Sequence, residues 1–401
     1  MNDFFVKIKS EKVRIDKRVF LSLLDLSPIK QYVAYENALA SNEISLDELK
    51  NLSARANIPY PLFFATKSKV DKQTRDKDKN LFYKLPGKAE MQLGFRGSMK
   101  PRDIEIIVKD LGRKQEFLKN RVLPTSKDNA FIGIIAKRVA ERVSNKKNAE
   151  EIREYFEINL GELRKMSKDK VLSYLCNKIE GRNILVSFSS HNYMPQNMSR
   201  ELGLSGLCIK DKKFPYIFIN TRDGDEKPLI LETSGRQIFT VISMLVSIGM
   251  NKFILSTKSG QIKKPAYKKI FAITGEILIP EADLVGINIK NLDGVKHYAQ
   301  SFKITPSMLV SRLEELGLIS KEVSRDYYRK LSEEILGVEQ GTPRQPSQVT
   351  GYKKYNGEKL SREVTHAYEG NKISHDEIKN ILFRKGKMES TLFREYIEKF
   401  K

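Results

Sequence analysis

Leu46, Leu49, Leu52 and Ala56 recur at the spacing of one helix face, and Ser45 with Glu48 three residues on has the form of a capping box. The pattern predicts a helix here, stopped at Asn57-Ile58-Pro59. Residues 1–12 instead alternate in strand fashion. Lys67–Asn80 offers almost nothing to bury and reads as a linker or exposed loop. From Pro101 to Met166 the periodicity is helical again, with Ile104, Ile107, Val108, Leu111 and Phe117–Leu118 on one stripe and Phe131–Val143 on another. Two or three helices are predicted there.

Asn183–Phe188 and Tyr216–Asn220 are short β-branched or aromatic runs bounded by turn residues, the mark of strands. Arg222-Asp223-Gly224-Asp225 would turn the chain into a further strand. Arg236–Met250 then reads as an amphipathic-to-buried helix, and Ala266–Leu278 as a second one closed by Pro280. His297–Phe302, followed by Thr305-Pro306 opening Ser307–Leu316, has the shape helix, tight turn, helix, with Thr as the cap and Pro at the first helical position. Gly337–Gly351 reads as a loop, and Leu360–Gly370 with Ser374–Phe383 as a last helical pair. The expected fold is α+β and predominantly helical, with a small sheet. The chain divides into a helical segment 1–65, a linker 66–100, a helical segment 101–168, an α+β domain 169–285, a helix-turn-helix-like element 286–336 and a helical tail 352–401.

Charge changes the picture most. Among 401 residues, 72 Lys and Arg against 50 Asp and Glu leave a net charge of +22, concentrated locally at Lys67–Lys88, Lys109–Lys147 and Lys252–Lys269. Such an excess implies nucleic acid or an acidic partner, and its plainer reading is a solvated basic surface. Two cysteines, Cys176 and Cys208, cannot build a disulfide framework or a four-thiolate zinc site, which fits a reduced cytoplasmic compartment. No run approaches the roughly 20 apolar residues of a membrane span, and the first residues lack the pattern of a secretory signal. A soluble cytoplasmic protein with no membrane partner is expected.

Pro215-Tyr216-Ile217-Phe218-Ile219-Asn220, Arg236-Gln237-Ile238-Phe239-Thr240 and Gly275-Glu276-Ile277-Leu278-Ile279-Pro280 come in an order that resembles the ImmA/IrrE family of zinc peptidases. That family runs from P-x-I-x-x-N through R-Q-x-F-T into a helix with H-E-x-x-H, then to a helix with an acidic ligand shortly before F-A-x-E-L-L-x-P. Tyr298–Thr305 and Arg312–Ile319 look like the family's small helix-turn-helix, and Arg362–Ser374 is similar to the C-terminal helices of its repressor-fused members. The resemblance covers about residues 170–390. Upstream, Tyr35-Glu36-Asn37, Ile44–Ser53 and Ile58–Phe64 look like the second half of an XRE-type helix-turn-helix domain, whose recognition helix would place Lys30, Gln31 and Tyr32 toward DNA.

A zinc site on a helix needs two imidazoles four residues apart, so that both project from one face, and a Glu beside the first to deprotonate water. The resemblance puts Ser243 and Ser247 at the His positions, Met244 at the Glu position, and Tyr267, Lys268 and Lys269 where the third ligand falls. Thr233–Gly275 contains no Asp, Glu or His at all. His191, His297, His366 and His375 are too scattered for local ligand spacing, which leaves only a distant set such as His191, Cys208 and Glu232. Ser243 and Ser247 have no neighbouring base and read as hydroxyls bonded back to the preceding turn.

The resemblance therefore implies a peptidase scaffold with no metal and no cofactor. It would act by binding a helix-turn-helix repressor or antitoxin, as a regulatory, toxin-antitoxin or phage-defence component of a mobile element or prophage. The alternative is a nucleic-acid-binding protein using its basic surface and helix-turn-helix-like elements. An enzyme with a non-metal site is a third. In the first two readings Arg236, Lys263, Lys264, Lys268 and Lys269 would line a groove made positive by the missing ligands, suited to phosphate or an acidic strand.

Overall fold

The computed structural model describes residues 3–25, 27–30, 32–56, 58–84, 103–190, 192–196, 204–221, 233–253, 255–257, 265–287, 289, 291–336, 346–383 and 389–400. The fold is α+β and predominantly helical. Among the described residues no helix is long and apolar enough to cross a membrane.

The first unit is built on a hairpin. Strands β1 (Asp3–Ile8) and β2 (Glu11–Asp16) pair antiparallel from Asp3↔Asp16 to Ile8↔Glu11, and β3 (Glu43–Ser45) joins β1 in parallel on its other edge. Alternation turns Phe4 and Val6 inward, where Phe4 stacks on Phe20 with ring centroids 4.2 Å apart. Helix α1 (Lys17–Leu24) starts on the Asp16 side chain, which accepts from the Arg18 amide. After α2 (Ser27–Lys30) and α3 (Val33–Ser41), α4 (Leu46–Arg55) opens on the expected Ser45–Glu48 capping box.

Lys67–Asn80 is not the linker or exposed loop its composition predicts. It lies in helix α5 (Lys67–Lys84). Val70 is fully buried against this unit's core and Lys67 pairs with Asp71 one turn on, which anchors this polar helix at its start.

The main body is a layered structure around a second sheet of order β4-β6-β5-β7. Strands β4 (Leu185–Phe188) and β6 (Tyr216–Ile219) are parallel, while β5 (Leu204–Ile209) runs antiparallel to β6 and to β7 (Leu255–Thr257). Strand β5 is buried at all six residues, so it shows no polar alternation in sequence. The strand expected after Arg222-Asp223-Gly224-Asp225 falls outside the described residues.

Five helices precede the sheet: α6 (Glu105–Phe117), α7 (Ile134–Ala140), α8 (Asn145–Tyr155), α9 (Leu160–Lys165) and α10 (Lys168–Gly181). On one face Ile217 and Ile219 meet helix α11 (Ser234–Gly249), in one core with α7, α8, α10 and α12 (Pro265–Leu278). Gly206 lets β5 approach α11, since a Cβ there would lie 3.0 Å from both the Phe218 carbonyl oxygen and Thr240 Cγ2. Thr305 caps α14 (Pro306–Glu315), which follows α13 (Leu292–Ser301) and precedes α15 (Lys321–Leu336). The turn between α13 and α14 abuts the start of α11 so closely that a Cβ on Gly235 would lie 2.8 Å from the Ile304 carbonyl carbon.

The opposite face carries Tyr216 and Phe218 and is covered by α6 together with α16 (Gln348–Asn356), α17 (Glu358–Glu369), α18 (His375–Leu382) and α19 (Ser390–Glu398). The C-terminal helices thus supply about half of the core on this face. Helix α16 overturns the expected loop through Gly351. That glycine sits inside the helix because the Tyr193 ring lies against it, 2.1 Å from where a Cβ would stand. Buried Glu180 joins the two faces, accepting from the Val186 amide at 3.3 Å and the Lys359 amide at 3.2 Å.

Candidate functional site

Helix α11 carries the positions at which the resemblance places metal chemistry, and it turns them into the core. Ser243 is 1% exposed, Met244 and Ser247 not at all. Ser247 Oγ donates to the Ser243 carbonyl at 2.7 Å, the back-bond expected of it. Ser243 Oγ is buried with no hydrogen-bond partner among the described residues. The Met244 carbonyl accepts from Cys208 Sγ on β5 at 3.5 Å, so this side of the helix looks at the sheet.

On α12, Tyr267 and Lys269 are half-buried and Lys268 is exposed. Phe239 stacks on Phe271 between the two helices with centroids 5.4 Å apart. Arg236 is half-buried in the first turn of α11, where its carbonyl accepts from Thr240 Oγ1 at 2.9 Å. Lys263, Lys264, Gln31, His191 and Glu232 lie outside the described residues. Among the described residues no three of His, Cys, Asp and Glu gather as a metal-holding group.

The residues placed toward DNA are engaged within their own unit. Lys30 Nζ lies 3.0 Å from Asp25 Oδ1. Tyr32 lies beneath the Arg55 guanidinium at 4.5 Å, and its hydroxyl accepts from Arg55 at 2.9 Å. In the helix-turn-helix-like element, Arg312 is the sole cation of α14 and is 5% exposed, paired inward with Glu276.

The most developed polar site lies on the sheet's other side. A cavity of about 280 Å³ is walled by α6, the segment after β4, and residues of α16 and α18. At its base Lys114, 2% exposed, holds its ammonium 3.1 Å from Asp110 Oδ2 and 3.9 Å from the centroid of the Tyr355 ring. Tyr355 donates to the same carboxylate at 2.9 Å, and Arg113 donates to Asp110 Oδ1 at 2.8 Å and to the Asn380 carbonyl at 3.0 Å.

Burial pushes the Lys114 ammonium below its ordinary range against the pull of Asp110. Burial acts upward on the Asp110 carboxyl, yet Lys114, Arg113 and the Tyr355 hydroxyl outweigh it and hold the group down. Burial, then the Asp110 charge, raises Tyr355 far above a normal phenol. The hint in the sequence is Lys114 itself, which stands on the stripe of Ile107, Leu111 and Leu118 where an apolar residue belongs.

A second polar cluster caps the carboxyl ends of the parallel pair β4 and β6. Ser189 Oγ and Thr221 Oγ1 are 3.0 Å apart, the Thr221 amide donates to Ser189 Oγ at 2.9 Å, and Lys354 donates to Thr221 Oγ1 at 2.9 Å. Ser190 Oγ and Ser205 Oγ are buried without hydrogen-bond partners among the described residues.

Comparison of the chain with protein-family models, with curated proteins and with solved structures returns no match.

Proposed function

We infer that the chain is a pseudo-peptidase of ImmA/IrrE type, which works by gripping a protein partner and not by cutting it. One observation carries this reading: Ser243, Met244 and Ser247, which the resemblance puts at the family's H-E-x-x-H, are spent on core packing beneath β5. Serine hydroxyls and a thioether in that setting supply neither ligands for zinc nor a base for water. The order of the matching segments around them supports the scaffold. A helix-turn-helix repressor or antitoxin in the cytoplasm is the partner class this reading names, in a regulatory, toxin-antitoxin or phage-defence role.

Co-expression with the products of neighbouring genes, followed by affinity capture, tests it. The reading expects a stoichiometric complex in which the partner remains uncut. Recovery of a cleaved partner, with cleavage abolished by chelation or by Ser243→Ala, overturns it.

The net charge of +22 favours nucleic acid as the second reading. The inward pairing of Arg312 removes the one cation that α14 could offer to bases, so phosphate contacts from Arg236, Lys268 and Lys269 would have to carry it. Binding of duplex or single strands that weakens steeply with salt is its signature.

A further inference from the structure

We propose that the cavity between α6 and the C-terminal helices binds a small aromatic anion, a single ring bearing one carboxylate or phosphate group. The charge count comes first. Among the described residues Lys114 and Arg113 bring two cations to this cavity and Asp110 one carboxylate, so these groups carry a net positive charge, with Lys114 and Asp110 withdrawn from water and Arg113 at the solvent edge. Both Asp110 oxygens are already used, Oδ1 by Arg113 and Oδ2 by Lys114 and Tyr355. An ammonium has three donors, of which the carboxylate takes one, and a buried cation gains most from a second anion in low dielectric.

The walls set the rest of the ligand. Tyr193, Tyr355 and Phe383 present rings, and Leu382 an aliphatic face. Tyr193 and Tyr352 meet edge to face at 5.1 Å, as do Tyr352 and Phe383, and Gly351 leaves Tyr193 room to stand where it does. Such fixed rings favour a planar body over a flexible chain. A volume of about 280 Å³ is at the low end for ligand sites and admits one ring with its acid, not a dinucleotide. Arg113, with about half of its side chain exposed, stands at the mouth where an incoming anion would meet it first. This site lies across the sheet from Ser243 and Ser247 and does not depend on the pseudo-peptidase reading.

Titration calorimetry on the full chain at low salt decides it, with benzoate, phenyl phosphate, inorganic phosphate and benzyl alcohol as probes. One site per chain is expected for benzoate or phenyl phosphate, and which of the two binds more tightly separates carboxylate from phosphate recognition. Inorganic phosphate and benzyl alcohol, each lacking one half of the ligand, should bind at least about tenfold more weakly. Lys114→Met should abolish binding and Arg113→Gln weaken it by about tenfold. If Lys114→Met fails to fold, Arg113→Gln decides alone, because that side chain is half in solvent. The proposal is overturned by the absence of saturable binding of either aromatic anion to the unaltered chain, by unchanged affinity in Arg113→Gln, or by equal affinity for benzyl alcohol or inorganic phosphate.

Discussion

Arg312 on α14 pairs its Nη2 with the carboxylate of Glu276 on α12, and both side chains are 5% exposed. Glu276 also accepts from the Glu281 amide at 3.4 and 3.3 Å, and Arg312 donates to Glu315 at 3.0 Å and to the Ile279 carbonyl at 3.4 Å. The helix-turn-helix-like element is thereby fastened to α12. The only cation of α14 is turned into a clasp.

Breaking that clasp from one side should be costly. Arg312→Met leaves a buried carboxylate without its counter-charge and should destabilise the chain by about 3–5 kcal/mol, whereas Arg312→Met with Glu276→Met should recover most of the loss. Urea unfolding midpoints of the two variants check this. Equal destabilisation would show that packing, not charge, holds α14.

The serines of α11 should prove dispensable. Ser243→Ala removes a buried hydroxyl with no hydrogen-bond partner among the described residues, so stability should hold or rise by about 1 kcal/mol, and Ser247→Ala should change it little. Neither should alter partner binding. Correspondingly, zinc or a chelator should leave the melting temperature where it was, since no metal energy is coupled to folding at these positions. Elemental analysis finding one zinc per chain that survives dialysis would contradict this.

Glu180 should give stability a visible pH dependence. Burial pushes its carboxyl up to about 8, against the Val186 and Lys359 amides that pull it down. The folded chain therefore holds this proton more tightly than the unfolded one. The contribution is complete below about pH 4.5, fades as pH rises, and is gone above about pH 8. Glu180→Gln has no such proton and turns an NH₂ toward one of the two amides, at a cost of about 1–3 kcal/mol near pH 5. The gap between wild type and variant should close and then reverse in sign as pH is raised to about 8, and stay level above it. A gap independent of pH refutes the assignment.

Core substitutions on α11 should scale with burial. Ile242, fully buried, should cost about 2–5 kcal/mol on change to Ala, and half-buried Phe239, stacked on Phe271, less than the 3–5 kcal/mol of a fully enclosed ring. Chemical denaturation of the two variants gives the comparison directly.

Local signals read well wherever one residue decides one turn. Ser45 with Glu48, Thr305 before Pro306 and Ser374 ahead of α18 all cap helices as their sequences announce. The long apolar run around Ile242 could only be a buried helix. Strand β5 was hidden because both of its faces are covered and Gly206 interrupts it, which erases the period of two. Helix α5 was hidden because its buried anchor Val70 is outvoted by polar neighbours. The cavity could not be read at all beyond the misplaced Lys114. Asp110, Tyr193, Tyr355 and Phe383 come from segments far apart in sequence, and only the closing of α16 and α18 over α6 brings them to one place.

The covering of one sheet face by the last helices also bears on how the chain is made. Until residues beyond 346 have left the ribosome, Tyr216 and Phe218 are covered from the α6 side alone, and Asn356 and Ser361 cannot meet the Tyr396 hydroxyl, 3.2 and 2.6 Å away in the finished fold. A nascent chain must therefore carry a half-covered apolar sheet face from the completion of β6 until the last helices emerge, the condition in which chaperones engage and aggregation begins. Premature stop codons between Leu278 and Tyr396 should then yield insoluble product, even though every residue of the α11 and α12 layer has already been translated.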